Sequence, residues 1–355
     1  PVQDRRHATG HVDNDGDIVV HQVHHLIHHR TCRKSVAVNH VASSQAPAQL
    51  CFPIWLMRLR RVCNTVSDAT SDLRVDPWLG TMVHIVASRQ NRPNLPSTGC
   101  PFCIGGLEAP EPYTVKSIPN RWPPMPDARC EVVLYTSDHD ARLSNLPVAQ
   151  LASLIDLWAE RTAALGARDD VDFVLIFENS GRAVGATIDH PHGQIYAFDH
   201  VPDRSRKRVA ARWKPDASTE RLVVERDGWV ASVPLASPYP VAVDIAPRER
   251  IADLPSMSAA QRSAFGRILQ DVLQRVEKLY AEPAPTMMWF NQRPTASAAR
   301  SGEIAGCDEA WFNVEIVSPW RAAQVMRYIA AAEVATGEYF IPVVPEDLAA
   351  RLRAG

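Results

Sequence analysis

The sequence predicts an α+β protein in which one unit, an antiparallel sheet with packed helices, occurs twice in tandem behind an extension. Three observations carry that expectation. Strand-like runs alternate with amphipathic helical stretches. The order strand, Leu-Pro, helix, strand, Asn recurs with strand starts about 110 residues apart, and duplication explains this most economically. Residues 1–71 share none of this patterning.

In chain order, residues 1–71 hold eight of the thirteen histidines before residue 41, including the run His21 to His29. They show no sustained periodicity and no capping signature. A metal-binding histidine tract is one reading; an extension that is poorly ordered or foreign to the functional protein is the simpler one. Organised sequence begins at Asp72-Leu73-Arg74-Val75-Asp76-Pro77-Trp78-Leu79-Gly80, followed by a strand over 81–86. The first copy of the repeat has a strand from Cys130 to Thr136 and a helix opened by Leu146-Pro147. That helix, running to about Leu165, aligns Leu151, Leu154, Ile155 and Trp158 on one face. A strand from Val171 to Phe177 closes it. The second copy has a strand from Pro240 to Ala246, Leu254-Pro255, a helix from about Ser258 to Tyr280 and a strand from Thr286 to Phe290. The segment from Pro319 to Glu333 reads as a helix, and a polar helix over Glu346–Arg353 ends the chain. The expected division is 1–71, 72–200 and 201–355.

At 355 residues, with 46% hydrophobic and 22% charged residues, the composition is that of a soluble globular protein. A net charge of −2 gives no overall attraction to nucleic acid or anionic membranes, so neither is expected as a partner. Seven cysteines, an odd number with one Cys-x-x-Cys pair, point to metal ligation or free thiols in a reducing compartment. No apolar core follows Pro1-Val2-Gln3-Asp4-Arg5-Arg6, so no signal peptide is expected. The longest apolar stretch, Leu50 to Met57, is too short to span a bilayer. A cytoplasmic location follows.

Two stretches carry chemistry. Glu178-Asn179-Ser180-Gly181 leads into Asp189-His190-Pro191-His192-Gly193-Gln194-Ile195-Tyr196. Imidazole is largely neutral, and so nucleophilic, near pH 7. Positions i and i+2 of an extended segment share a face, so His190 and His192 can serve one site. Pro191 fixes the backbone between them, and Gly193 is expected to let a ligand approach the main chain. Two histidines in an ordinary turn is the bland alternative. The second stretch is Cys100-Pro101-Phe102-Cys103-Ile104-Gly105-Gly106, whose spacing lets two thiolates reach one tetrahedral ion. A redox pair would open a helix, and Gly105-Gly106 argues against one here. With no second Cys-x-x-Cys, the remaining ligands must come from elsewhere. After the strand at 81–86, Arg89 and Arg92 offer planar, permanent charges suited to phosphate.

The segment Glu178–Gln194 closely resembles the active-site block of galactose-1-phosphate uridylyltransferases, a branch of the histidine-triad superfamily, and the likeness extends over roughly 72–353. It implies two tandem histidine-triad-like units. His192 is then the nucleophile that becomes uridylylated, Gln194 hydrogen-bonds the phosphoryl oxygens, and Asn179 helps hold the nucleotide. Hydrolytic relatives carry a third histidine where Gln194 stands; an amide has no titrating proton for a leaving group, which favours transfer. Arg89 and Arg92 match phosphate-contacting arginines, and Ile118-Pro119-Asn120-Arg121-Trp122 matches a uridine-pocket segment with Asn120 at the uracil or ribose edge. The resemblance completes a structural zinc site from Cys100, Cys103, His139 and His190. It places Arg327 and Glu333 on a helix facing the active site, while Tyr339 falls near a glutamine that contacts the hexose phosphate.

In the second copy, Arg208, Phe290 or Asn291, Asn313 and Glu315 stand where some relatives bind another metal, so no second metal is expected. The implied reaction is ping-pong transfer of UMP from UDP-glucose to galactose 1-phosphate by a homodimer. Two other readings stay open: a related nucleotidyltransferase or phosphorylase with another donor such as ADP-glucose, and a catalytically silent nucleotide- or zinc-binding module.

Overall fold

The computed structural model describes residues 72–91, 99–302 and 306–355; the extension expected over 1–71 lies outside the described residues. The first element is a hairpin of β1 (Asp72–Val75) and β2 (Met82–Ile85), whose turn is held by Asp76 Oδ1 accepting from the Trp78 and Leu79 amides.

Nine strands then form one antiparallel sheet. They are β3 (Lys116–Pro119), β4 (Cys130–Leu134), β5 (Phe173–Ser180), β6 (His192–Phe198), β7 (Leu222–Arg226), β8 (Trp229–Ser232), β9 (Val241–Pro247), β10 (Thr286–Asn291) and β11 (Asn313–Ser318). Their spatial order is β3-β4-β6-β5-β10-β11-β9-β8-β7. The repeat is visible in that order. Helix α1 (Val148–Gly166) links β4 to β5, and β6 returns between them. Past α2 (Asp203–Ala210), helix α3 (Ala259–Glu277) links β9 to β10, and β11 returns between them in the same way. The two copies join where β5 pairs with β10, from Thr286 opposite Ser180 to Trp289 opposite Phe177.

Alternation along the strands separates two faces. One face packs Val133, Tyr135, Ile176, Ile195, Val243 and Phe290 under α1 and α3. Leu151, Leu154, Ile155 and Trp158 of α1 are all buried there, as their helical spacing predicts. Trp158 meets Tyr135 and Phe290 edge-on at 5.5 and 5.0 Å. On the opposite face a smaller cluster of Phe102, Ala109, Ile118, Val132 and Leu134 packs the 99–109 loop against β3 and β4. His192 and Gln194 belong to this second face.

The chain from Pro319 to Glu333 is not the helix its composition suggests. It forms a hairpin of β12 (Trp320–Ala322) and β13 (Val325–Met326), turned at Gln324 with φ +59°. Trp320 seats edge-on against Tyr280 at 5.6 Å, and the Arg327 amide donates to Pro319 O, so tertiary contacts override the helix propensity of Arg321-Ala322-Ala323-Gln324. After α4 (Ala296–Ser301), only a short α5 (Ala331–Thr336) precedes α6 (Pro345–Ala354). No described helix is long and apolar enough to cross a membrane.

Helix α3 is closed at its start by a reciprocal box: Ser258 Oγ accepts from the Gln261 amide at 3.2 Å and Gln261 Oε1 accepts from the Ser258 amide at 2.8 Å. Ser258→Ala is expected to cost about 1 kcal/mol of unfolding free energy, read from the urea midpoint at unchanged slope.

Candidate active site

The centre of the site is set by the register of β6. His192 lies opposite Leu134 of β4, and Gln194 opposite Val132 on one side and Phe177 of β5 on the other. Both side chains therefore point away from the helix-covered core. His190, two residues before His192, shares its face, and both rings pack on Phe102, at 6.1 and 5.1 Å. His192 Nδ1 lies 2.7 Å from the carbonyl of His190. A carbonyl only accepts, so Nδ1 carries the hydrogen and Nε2 is the lone-pair nitrogen.

Gln194 is oriented by two donors. Its Oε1 accepts from Asn120 Nδ2 and from the Tyr196 hydroxyl, each at 3.2 Å, which turns the amide NH₂ into the end available to an anion. Asn120 Oδ1 accepts from the Trp122 amide at 2.9 Å. Each end of the Asn120 amide makes one bond, holding Gln194, and keeps a second N–H and a second lone pair at the wall of the larger cavity described below.

Two cavities meet at His192. One, of about 780 Å³, is lined by Phe102, Ile118, Asn120, Trp122, Thr187 and Gln194. The other, of about 420 Å³, is bordered by Asn179, Ser180, Arg142, Glu178, Glu277 and Glu282. His192 contributes to both walls.

Beside His192 stand four ligand atoms, from Cys100, Cys103, His139 and His190, all within 4.8 Å of one another. Cys103 Sγ is 3.4 Å from His139 Nδ1 and 3.6 Å from His190 Nδ1, the edge lengths of a small tetrahedral coordination sphere. His190 is 1% exposed, and its Nε2 donates toward Thr136 O at 2.7 Å, with the Tyr113 hydroxyl 2.9 Å away, so Nδ1 faces the thiols with a lone pair. Burial pushes the Cys103 thiol up, as does its neighbour Cys100; burial pushes His190 down. Two thiols and a neutral imidazole turned toward one point form a donor set suited to a cation. The knuckle closes because Gly106 has no side chain: a Cβ there would sit 2.6–2.8 Å from the carbonyls of Cys100, Pro101 and Cys103. Among the described residues this is the one such cluster of His, Cys, Asp and Glu.

Gly193 does not serve as a ligand's approach to the main chain. Its missing side chain lies on the core face, where a Cβ would fall 2.2 Å from the Tyr135 hydroxyl oxygen and 3.0 Å from Phe177 O. A tyrosine, not a ligand, occupies the space that glycine leaves.

The other expected residues divide. Asn179 follows Glu178 at the end of β5 and borders the smaller cavity. Arg89 is half-buried near Cys130, whose thiol burial pushes up to about 11 against a small opposing pull from the Arg89 charge, and borders neither cavity; Arg92 lies outside the described residues. Arg327 and Glu333 form a buried ion pair away from both cavities, with Arg327 over the Tyr339 ring at 5.8 Å and Glu333 accepting from the Ala330 and Phe340 amides. In the second copy, Glu315 accepts from Arg204 at 2.6 Å and Asn291 at 2.8 Å and pairs with Arg208 at 3.2 Å, while Arg208 also donates to Asn313 at 3.0 Å. Tyr113, Tyr135 and Phe102 went unnoticed in the sequence; the alternation that turns Tyr135 inward is legible, but its meeting with Gly193 is not.

Comparison with known proteins agrees with this geometry. Residues 124–202 match the family model "Galactose-1-phosphate uridyl transferase, N-terminal domain". The chain is 34% identical over 316 residues to a galactose-1-phosphate uridylyltransferase of Thermotoga maritima, covering 79% of this chain and 98% of the relative. It is 30% identical over 309 residues to one of Streptomyces lividans, covering 80% and 87%. A solved structure of a uridylyltransferase superposes with a TM-score of 0.71 at 26% identity, over 79% of this chain and 97% of that one. An ADP-glucose phosphorylase of Arabidopsis thaliana with bound ADP-glucose shares the fold, at a TM-score of 0.61 and 20% identity over 81% of this chain and 99% of that one.

Removing one thiolate from the cluster leaves three ligands and an uneven charge. Cys103→Ser is expected to lower the metal content of the purified protein at least tenfold by elemental analysis; full occupancy in the variant would refute the assignment.

Proposed function

The chain belongs to the galactose-1-phosphate uridylyltransferase family, and on that premise we propose that it transfers UMP from UDP-glucose to galactose 1-phosphate through a uridylyl-histidine on His192. One observation carries this reading: Nδ1 of His192 is fixed by the His190 carbonyl, which leaves Nε2 as the lone-pair nitrogen of a ring that borders both cavities.

In the first half-reaction Nε2 attacks the α-phosphorus in line. The new N–P bond forms as the P–O bond to glucose 1-phosphate breaks, and the electron pair leaves on a phosphate oxygen. Such a leaving group is stable as an anion and requires no proton, so Gln194 suffices where a hydrolase would place an acid. The Gln194 NH₂, oriented by Asn120 and Tyr196, donates to a non-bridging oxygen on which charge builds. We assign Arg89 and Arg92 to phosphate on family likeness. In the second half-reaction the phosphate oxygen of galactose 1-phosphate attacks the same phosphorus, and His192 leaves as a neutral imidazole. Dividing the exchange keeps two anionic sugar phosphates from meeting.

The apolar walls of the larger cavity, Phe102, Ile118 and Trp122, suit a base and ribose, while the smaller, more polar cavity at Asn179 suits the sugar phosphate. Zinc is the ion we assign to Cys100, Cys103, His139 and His190; four-coordinate and closed, it supplies folding energy rather than Lewis-acid chemistry. The boundary between the two histidine-triad-like units is placed at residues 200/201. Cys100, Cys103, Cys130 and Cys307, which form no disulfide, fit a cytoplasmic location. A homodimer accounts for the strongly exposed Trp78, Leu79, Tyr328, Val334 and Phe340, 69–90% exposed in the single chain. Arg327 and Glu333, which border neither cavity of their own chain, act on substrate only if such a second copy receives them.

The test is intact mass after mixing with UDP-glucose. Wild type is expected to gain a uridylyl group, His192→Gly to gain none, and galactose 1-phosphate to remove it. Removal only by another acceptor, or gain only from ADP-glucose, changes the substrate; no gain from any nucleotide sugar leaves a binding module.

A further inference from the structure

The nucleophile is held from behind as well as from its own face. Strand β6 lies between β4 and β5, and the pairings Val133–Gly193 and Ile176–Ile195 direct Tyr135, Gly193 and Glu178 to the core side of the sheet. The Tyr135 amide donates to Pro191 O at 3.2 Å, anchoring the proline between the two histidines. Its ring is 0% exposed, wedged edge-on against Trp158, and its hydroxyl fills the space over Gly193. The pairing of β5 with β6 ends at Phe177–Gln194, so the residues next along are Glu178 and Gly193. The hydroxyl thus lies over the middle strand and the carboxyl rises from the strand beyond it.

We propose that Tyr135 and Glu178 are positioning residues for the nucleophile, meeting over Gly193 to fix the backbone between His190 and His192. Three features favour this over ordinary packing. Glu178 Oε2 and the Tyr135 hydroxyl are both buried, and neither makes a well-formed hydrogen bond to any group. The groups act on one another: burial drives the Glu178 carboxyl up to about 7, and the Tyr135 hydroxyl opposes that rise. Gly193 is the residue between them, and any larger side chain would collide with the hydroxyl. The consequence falls on the 2.7 Å contact from His192 Nδ1 to His190 O, which requires the two backbones to keep their spacing across Pro191.

The inference rests on His192 being the nucleophile, so its test has one arm that needs no turnover. Gly193→Ala inserts a methyl group into the hydroxyl; adding Tyr135→Phe removes that oxygen and leaves the ring carbon at 3.1 Å as the closest part of the ring. In wild type, a downfield imidazole N–H proton resonance that vanishes in His192→Gly reports the bond to His190 O. It is expected to be lost in Gly193→Ala and to return in Gly193→Ala/Tyr135→Phe. In turnover, Gly193→Ala is expected to lower kcat at least tenfold with KM for UDP-glucose within about twofold, and the double variant to recover to the level of Tyr135→Phe alone. Tyr135→Phe and Glu178→Leu alone are expected to lower kcat several-fold, with Glu178→Gln nearer wild type. A wild-type resonance and kcat in both single variants, or no recovery in the double variant, would overturn the proposal. A resonance pattern as expected in a wild type that forms no adduct would instead count against the transferase reading alone.

Discussion

The register of β6 is the constraint on which the site depends. Side chains alternate, so a slip of one residue against β4 and β5 would turn His192 and Gln194 into the core and bring Gly193 and Ile195 out. The register is fixed from both sides. Ile195 is buried beneath the helices with Val133 and Ile176. On the other face, Val132 and Leu134 pack under the loop that carries Cys100 and Cys103. Burial of that apolar surface, at roughly 25 cal/mol per Å², is the force that keeps the polar His192 and Gln194 pointing outward.

The two copies of the fold use the same frame for different chemistry. In the first, His192 occupies the start of the returning strand and faces open cavities. In the second, the returning strand β11 presents Asn313 and Glu315 to Arg204 and Arg208. The two guanidiniums lower Glu315 despite its burial, whereas Asp244, opposite Glu315 on β9, is pushed up to about 7 by burial first and by Glu315 next. Two carboxylates share one environment, and the arginines support one of them fully. The arrangement needs its cations: removing one partner of such a pair leaves an uncompensated charge, costing about 3–5 kcal/mol.

Much of this was legible in the residues. Helical spacing in Leu151, Leu154, Ile155 and Trp158 and the Leu-Pro punctuation placed both long helices and exposed the duplication. His190 and His192, two apart in an extended segment, do share a face, and Cys100 with Cys103 does close a knuckle. What was not legible depends on contacts distant in sequence. The segment around Trp320 follows Tyr280 and its own hairpin rather than its alanine content. Strands β7 and β8 carried a local signal, the Asp227-Gly228 turn with both φ angles positive, which a closer reading of turn chemistry finds. Gly193 was read for its freedom of approach, yet the space it leaves is taken by a residue 58 positions earlier in the chain. Glycine in a sequence signals that something comes close without saying what or from which side.

The turn at His190-Pro191-His192 therefore answers to three demands at once. The ring of His190 faces the thiols with Nδ1, and its Nε2 is held by Thr136 O. Its carbonyl sets the tautomer of His192. The carbonyl of Pro191, between them, is bound by the Tyr135 amide. A buried polar group without a partner costs about 1–3 kcal/mol, and two such atoms, the Tyr135 hydroxyl oxygen and Glu178 Oε2, flank Gly193 on the strand that follows that turn. A core optimised for stability alone would place phenylalanine and an aliphatic residue there. Their retention beside the one strand that carries His192 and Gln194 fits a site whose requirement is backbone placement, because in-line attack on phosphorus tolerates little displacement of the nitrogen that makes it.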